Sequence, residues 1–216
     1  MTYDTVFFDL DGTLIESGPA IFATARATLA DMGLSCPPDE HLHKMVGPPL
    51  KAGFSEFLHI PENRLDEAAN LYREKVKTMG MGSTSPYRGV IALLQALKAH
   101  KIRVGVVTSK VQSTALEQLA AFGIAPYVDY VRGAFPDGNG EKTELLRIAI
   151  KDFCTPENRA VMVGDRYFDL NAARNVGIFS IGVLYGYGER AEIEACAPTH
   201  VARDVKELER LLLGHV

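Results

Sequence analysis

The chain has 216 residues, of which 47% are hydrophobic and 23% are charged, and its formal net charge at pH 7 is −4. This length and composition predict a globular protein of one large or two modest domains, with enough apolar residues to build a core. The acidic balance and the lack of a basic cluster argue against a nucleic-acid surface, and no apolar stretch has the length of a membrane span.

The N-terminal residues show neither the basic region nor the apolar region of a signal peptide. The cysteines are widely separated and form no paired motif, so reduced thiols are the simpler interpretation: Cys36, Cys154 and Cys196. We therefore expect a cytoplasmic protein whose partner is neither a membrane nor a nucleic acid. The sequence leaves open whether the chain is a monomer or a homodimer.

The first predicted element is a strand over residues 5–9, which leads directly into the motif Asp9-Leu10-Asp11-Gly12-Thr13-Leu14. Side chains alternate along a strand, so Asp9 and Asp11 point the same way, and Gly12 and Thr13 end the strand in a turn. Two close carboxylates repel each other unless they share a proton or bind a cation. This spacing therefore offers a nucleophile, an acid/base and part of a metal site.

Only helices are predicted between this motif and residue 84. Apolar residues recur at helical spacing over 21–32 and 50–58, and again from Pro61-Glu62 to Met79. The segments 15–19 and 80–86 are rich in helix breakers and predict hinges or linkers at the two ends of this stretch.

Strands and helices alternate after residue 84. Apolar strands are predicted near residues 104–107, 128–131, 160–163 and 179–184, a loop is predicted at 136–140, and the last helix opens at Asp204. This order predicts a parallel sheet with right-handed crossovers. The simplest architecture is one α/β core interrupted by a helical insertion.

Polar residues that could take part in catalysis or binding follow several of these strands or lie at the start of the next helix. Because the carboxyl ends of parallel strands meet at one edge of a sheet, we expect them to converge on Asp9 and Asp11. The residues concerned are Thr108, Ser109, Lys142, Asp165 and Asp169. Lys110 is the alternative lysine, but it follows the threonine directly and is interpreted as a flanking residue.

Together these motifs resemble those of the haloacid dehalogenase-like hydrolase superfamily, most of whose members are Mg²⁺-dependent phosphatases. The resemblance implies a Rossmann-like parallel sheet core of residues 1–15 and 84–216, with an all-helical cap of residues 16–83. The first motif matches without departure, and Gly164-Asp165-Arg166-Tyr167-Phe168-Asp169 matches the fourth. Lys142 is the loosest match, since Thr143 follows it where many relatives have proline.

The family also implies roles for the residues that match its motifs. Asp9 would be the nucleophile that forms an acyl-phosphate, and Asp11 would protonate the leaving alcohol and later deprotonate the attacking water. Asp9, the backbone carbonyl of Asp11 and Asp165 would bind Mg²⁺, with Asp169 in support. The remaining phosphoryl oxygens would be held by Thr108, Ser109 and Lys142.

The cap type, the loop Val46-Gly47-Pro48-Pro49-Leu50 and the segment 181–188 look like the phosphoglycolate phosphatase branch. Hydrolysis of a small phosphorylated metabolite by a phosphoglycolate phosphatase-like enzyme is therefore the expected activity. A 5'-nucleotidase-like phosphatase, a β-phosphoglucomutase-type mutase and a non-catalytic binder of a phosphorylated ligand remain alternatives. The residues Lys44, Lys51 and Arg73 are candidates for a substrate carboxylate, and each is equally consistent with a solvated helix charge.

Overall fold

The structure is a computed structural model that describes residues 3–79, 82–135 and 140–214. Its strands are Thr5–Phe8 (β1), Ile15–Glu16 (β2), Ser85–Pro86 (β3), Arg103–Val111 (β4), Tyr130–Ala134 (β5), Ala160–Gly164 (β6), Phe179–Val183 (β7) and His200–Ala202 (β8). Its α-helices are Gly18–Asp31 (α1), Asp39–Lys44 (α2), Leu50–Glu56 (α3), Leu65–Met79 (α4), Val90–Ala99 (α5), Gln112–Ala121 (α6), Lys142–Asp152 (α7), Tyr167–Val176 (α8), Arg190–Ala195 (α9) and Val205–Leu213 (α10).

The main sheet is parallel, six-stranded and ordered β5-β4-β1-β6-β7-β8, with helices on both faces. Alternate residues of the central strand β1 face opposite sides, as the pleat requires. Val6 and Phe8 are buried together with α5 and α10, whereas Phe7 is buried together with α7 and α8. The predicted α/β fold with a parallel sheet is therefore confirmed.

The helices α1 to α4 pack around a hydrophobic cluster of their own, which includes Leu29, Phe54 and Ala68. The chain enters and leaves this helical segment through β2 and β3, which pair antiparallel with Ile15 opposite Pro86. Of the predicted hinge, Gly80 and Met81 lie outside the described residues, as does most of the predicted loop at 136–140. The division at residues 15 and 84 stays a prediction.

Three differences from the predicted elements concern short or irregular structure. Strand β4 continues to Val111, with a register irregularity after Val107, so Thr108 lies within the strand and not behind it. The short elements α9 and β8 were not predicted, because neither is long enough to show a clear periodicity. The pair β2–β3 was also missed, since each strand has only two residues.

No described helix is both long and apolar enough to cross a bilayer.

Candidate active site

The turn after β1 brings the first motif against Asp165. The N–H of Asp9 continues the ladder by donating to the Val163 carbonyl at 2.9 Å, and Gly12 then turns the chain with a φ of +85°. A Cβ atom at Gly12 would collide with the Asp165 carboxylate, so glycine is required for this close approach. The Thr13 hydroxyl donates to Asp165 Oδ1 at 3.1 Å. The motif thus fixes the position of an acid that lies 152 residues further along the chain.

Lys142 lies between two carboxylates at the carboxyl end of the sheet. Its Nζ is 2.7 Å from Asp9 Oδ1 and 2.9 Å from Asp169 Oδ1, and it also donates to the Val107 carbonyl at 3.2 Å. The side chains of all three charged residues are at most 3% exposed. The structure therefore places the predicted lysine beside the predicted nucleophile, with both side chains buried.

Asp165 and Asp169 are both held by backbone N–H groups. Asp165 Oδ2 accepts from the N–H of Tyr187 at 2.8 Å, and Asp169 Oδ2 accepts from the N–H of Arg166 at 3.2 Å. The second contact joins the side chain of Asp169, in the first turn of α8, to the N–H of the residue that precedes the helix. Both carboxylates are therefore fixed by loop and cap geometry and not only by charge.

The site holds an excess of negative charge. Burial, followed by the charges of Asp169 and Asp9, raises the pKa of Asp165 to about 8. Burial and the charge of Asp169 likewise raise the pKa of Asp9 to about 7, although Lys142 opposes the shift. Burial by itself would lower the pKa of Lys142, but the charges of Asp169 and Asp9 outweigh it and the net shift is upward. One lysine does not neutralise three buried carboxylates.

The same three acids have the donor set of a magnesium site. Asp9, Asp165 and Asp169 each offer a carboxylate oxygen, and these oxygens all lie within 4.8 Å of one another. Mg²⁺ prefers oxygen ligands, and its charge would offset the mutual repulsion that raises the pKa of the acids. The residues therefore fit the ion. The Asp11 carboxylate is not in this group, and its predicted role as a ligand involves its backbone carbonyl.

Mg²⁺ should stabilise the protein more strongly as the pH rises. Asp9 and Asp165 have a pKa above the ordinary value of 3.8, so the ion-free fold holds their protons and loses stability as the pH rises toward about 8. We expect one fixed Mg²⁺ concentration, about 100 times the dissociation constant at pH 8, to raise Tm by about 5–10 °C at pH 8 and by about half of that or less at pH 6, where protons compete for the acids.

Differential scanning calorimetry with Mg²⁺ or EDTA measures this gain. Asp165→Asn should remove most of it, whereas the exposed Asp152 can be changed to asparagine as a control that keeps it. A gain that is equal at both pH values would contradict a site made of these acids.

Asp11 is paired with a lysine that the sequence interpretation set aside. Lys110 Nζ donates to Asp11 Oδ1 at 2.8 Å and to Gln118 Oε1 at 2.7 Å. Thr108, one alternation earlier in β4, is buried, and its Oγ1 accepts from the N–H of Lys110 at 3.2 Å. No periodicity in the sequence indicates this contact, because β4 changes register after Val107.

A cavity of about 580 Å³ opens above these residues. Its floor includes Asp9, Asp11, Thr108 and Ser109 at the strand ends, whereas Lys142, Asp165 and Asp169 are not among its lining residues. The helical segment forms the opposite side through α1 and α4, with Ala20, Ile21, Thr24, Tyr72, Arg73, Val76 and Lys77. Of the three basic residues considered for a substrate carboxylate, Arg73 lines this cavity, and Lys51 instead pairs with Asp66 at 2.6 Å.

Two residues beside Asp165 also contact the helical segment, and neither was predicted. The Tyr187 hydroxyl accepts from the N–H of Gly18, the first residue of α1, at 2.7 Å. The Arg166 guanidinium donates to the carbonyls of Lys44 and Val46. Tyr187, which holds Asp165, and Arg166, which follows it in the chain, are thus hydrogen-bonded directly to the helical segment.

The family model described as "Haloacid dehalogenase-like hydrolase" matches residues 6–183 of the chain. A 5'-nucleotidase from Pseudomonas aeruginosa is 32% identical over 216 residues, covering 100% of this chain and 98% of that protein. The tyrosine-protein kinase PtkA of Mycobacterium tuberculosis is 33% identical over 210 residues, covering 96% of this chain and 72% of that protein.

Solved structures of other proteins have the same overall fold. A predicted phosphatase from Clostridium acetobutylicum superposes with a TM-score of 0.94 at 32% identity, covering 99% of this chain and 100% of that one. A predicted phosphoglycolate phosphatase from Haemophilus somnus has a TM-score of 0.85 at 22% identity, covering 98% of both chains. At that identity the second likeness concerns the fold alone.

Proposed function

The chain belongs to the haloacid dehalogenase-like hydrolase family and is a phosphatase, and from that premise we propose that it hydrolyses a small-molecule phosphomonoester with Mg²⁺ through an aspartyl-phosphate on Asp9. One observation carries the proposal. The Asp9 carboxylate is held at 2.7 Å from Lys142, on the floor of a cavity that Asp11 also lines. Residues 16–83 would act as a cap that closes this cavity and excludes water.

The first step is a displacement at phosphorus by an Asp9 oxygen. The P–O bond to the alcohol breaks, and Asp11 gives its proton to the leaving oxygen. Asp165, Asp9 and Asp169 would hold Mg²⁺, which supplies positive charge against the phosphoryl oxygens when bound. Lys142, fixed between Asp9 and Asp169, adds a second positive charge beside the nucleophile, and Thr108 and Ser109 contact the other oxygens.

The second step returns Asp9 to its starting state. Asp11, deprotonated by the first step, takes a proton from water, and the water oxygen attacks the phosphorus of the aspartyl-phosphate. The acyl-phosphate bond breaks, and inorganic phosphate leaves. Lys110 donates to the Asp11 carboxylate at 2.8 Å and so fixes its position beside the cavity, within reach of a water there.

Two substrate classes are supported unequally. The motifs of the chain favour phosphoglycolate, but the cited structure named for that activity is only 22% identical. The relative that covers this whole chain at 32% identity is named a 5'-nucleotidase, which favours nucleoside monophosphates. Both classes are phosphomonoesters and require the same two steps.

Phosphate release with Mg²⁺ and with EDTA tests the proposal directly. The substrates are p-nitrophenyl phosphate, adenosine 5'-monophosphate, phosphoglycolate and glucose 1-phosphate. We expect turnover that EDTA abolishes and added Mg²⁺ restores. Conversion of glucose 1-phosphate to an isomer without phosphate release would support the mutase instead. No release from any substrate, with binding retained, would favour the non-catalytic binder.

A further inference from the structure

The cavity is larger than a phosphoryl group needs, and its two sides differ in chemistry. Its volume of about 580 Å³ lies in the range that holds complete ligands of small-molecule size. On the side of α6 the lining is polar, with Ser113, Thr114 and Glu117. On the side of the helical segment it combines apolar residues such as Ile21 and Val76 with the charged Arg73 and Lys77. A leaving group that fills this space can turn a polar edge toward α6 and an apolar face toward Ile21 and Val76.

Tyr72 brings a hydroxyl to the helical side of the cavity, where Ser17 and Thr24 also carry one. It lies on α4, and its ring packs edge-on against Phe54 with centroids 5.6 Å apart. The side chain is partly exposed and lines the cavity, and within the described parts of the chain its hydroxyl makes no hydrogen bond. Burial and the charge of Asp11 raise the pKa of Tyr72, so the phenol remains a donor at neutral pH.

The position of the Tyr72 hydroxyl relative to Asp11 determines which part of a bound substrate it can contact. Asp11 protonates the bridging oxygen of the substrate under the proposed function, so atoms just beyond this oxygen lie between Asp11 and the helical segment. A sugar ring there offers hydroxyl and ether oxygens that accept a hydrogen bond. A base attached to the sugar is planar and apolar on its faces, which matches the lining by Ile21 and Val76.

On this basis, and resting on the proposed function, we propose that Tyr72 is a specificity-determining residue whose hydroxyl donates to the sugar of a nucleoside 5'-monophosphate. A two-carbon leaving group such as glycolate would leave the apolar lining in contact with water and would not need this donor. The competing interpretation gives selectivity to Arg73, which lines the same cavity and carries a guanidinium of the kind that binds carboxylates.

Steady-state kinetics of the full chain with Mg²⁺ separate these interpretations. The variants are Tyr72→Phe, Tyr72→Ala and, as a matched control, Tyr130→Phe, whose hydroxyl donates to Asp152 at 2.8 Å away from the cavity. We expect Tyr72→Phe to lower the ratio of kcat/KM for adenosine 5'-monophosphate over phosphoglycolate by about 3- to 10-fold, mainly through KM, and Tyr72→Ala to lower it further. Tyr130→Phe should not change the ratio.

An unchanged ratio in Tyr72→Phe would overturn the inference, as would a preference for phosphoglycolate that Arg73→Met removes. Calorimetric binding of adenosine 5'-monophosphate to Asp9→Asn, with and without Tyr72→Phe, separates this result from failure of the proposed function. Suppose that the wild type does not hydrolyse even p-nitrophenyl phosphate. If Tyr72→Phe still weakens nucleotide binding, the proposed function is wrong and the Tyr72 contact is supported. If Tyr72→Phe leaves nucleotide binding unchanged, the proposed function and the Tyr72 contact are both wrong.

Discussion

Asp9→Asn should lower kcat for every phosphomonoester by about 10⁴-fold or more, because an amide cannot attack phosphorus in place of the carboxylate. The two side chains have nearly the same shape, so the packing around residue 9 should be kept. Loss of one negative charge also relieves the repulsion with Asp165 and Asp169, so we expect no loss of thermal stability. Phosphate release under saturating Mg²⁺ measures the effect.

The covalent step itself can be observed by an acid quench. The substrate is radiolabelled in its phosphoryl group. Wild-type protein should retain this label after denaturation, and Asp9→Asn should retain none. Asp152→Asn makes the same chemical change at an exposed position and serves as the control. Since Asp9 is also a proposed Mg²⁺ ligand, Mg²⁺ binding by the variant is measured in parallel. Turnover within about tenfold of the wild type would show that Asp9 is not the nucleophile.

Asp11→Asn should make the rate depend strongly on the leaving group. For an alkyl phosphate, whose alkoxide is a poor leaving group, we expect kcat/KM to fall by about 10²- to 10⁴-fold. For p-nitrophenyl phosphate the fall should be much smaller, since its phenolate leaves without a proton. The parameter kcat/KM is the appropriate one, because it does not include hydrolysis of the intermediate, in which Asp11 also acts.

Lys110→Met is the comparison that separates the acid from its partner. Lys110 holds Asp11 at 2.8 Å but gives no proton to the alcohol in the proposed mechanism. The variant should lower kcat/KM less than Asp11→Asn does, and again more for an alkyl phosphate than for p-nitrophenyl phosphate, because the lysine acts on the reaction through Asp11. If Asp11→Asn reduced every substrate equally, Asp11 would be a positioning residue and not the general acid.

The residues that the sequence predicted correctly as neighbours share one physical basis. Asp9, Lys142, Asp165 and Asp169 each come directly after a strand of the sheet or in the first turn of the helix that follows one, so the common edge of a parallel sheet was sufficient to bring them together. This rule depends only on the order and direction of the strands. It applies over long sequence separations because every strand of the sheet runs in the same direction.

The contacts that were missed depend on irregular backbone. Lys110 reaches Asp11 because β4 continues past Val107 with a changed register, which no hydrophobic pattern encodes. Tyr187 reaches Asp165 through the backbone N–H of a loop, and any residue type except proline could supply that donor. The identity of a residue carries no signal when its main chain makes the contact.

The pairing of β2 with β3 has a consequence for how such a protein diversifies. Because β2 and β3 run side by side, the two ends of the helical segment between them are already held together. A change in the length of that segment therefore costs little additional loop-closure entropy. Mutations in α1 and α4 can then alter the upper side of the cavity while the strand ends keep their spacing. Evolution can revise selectivity in one part of the chain and conserve reactivity in the other.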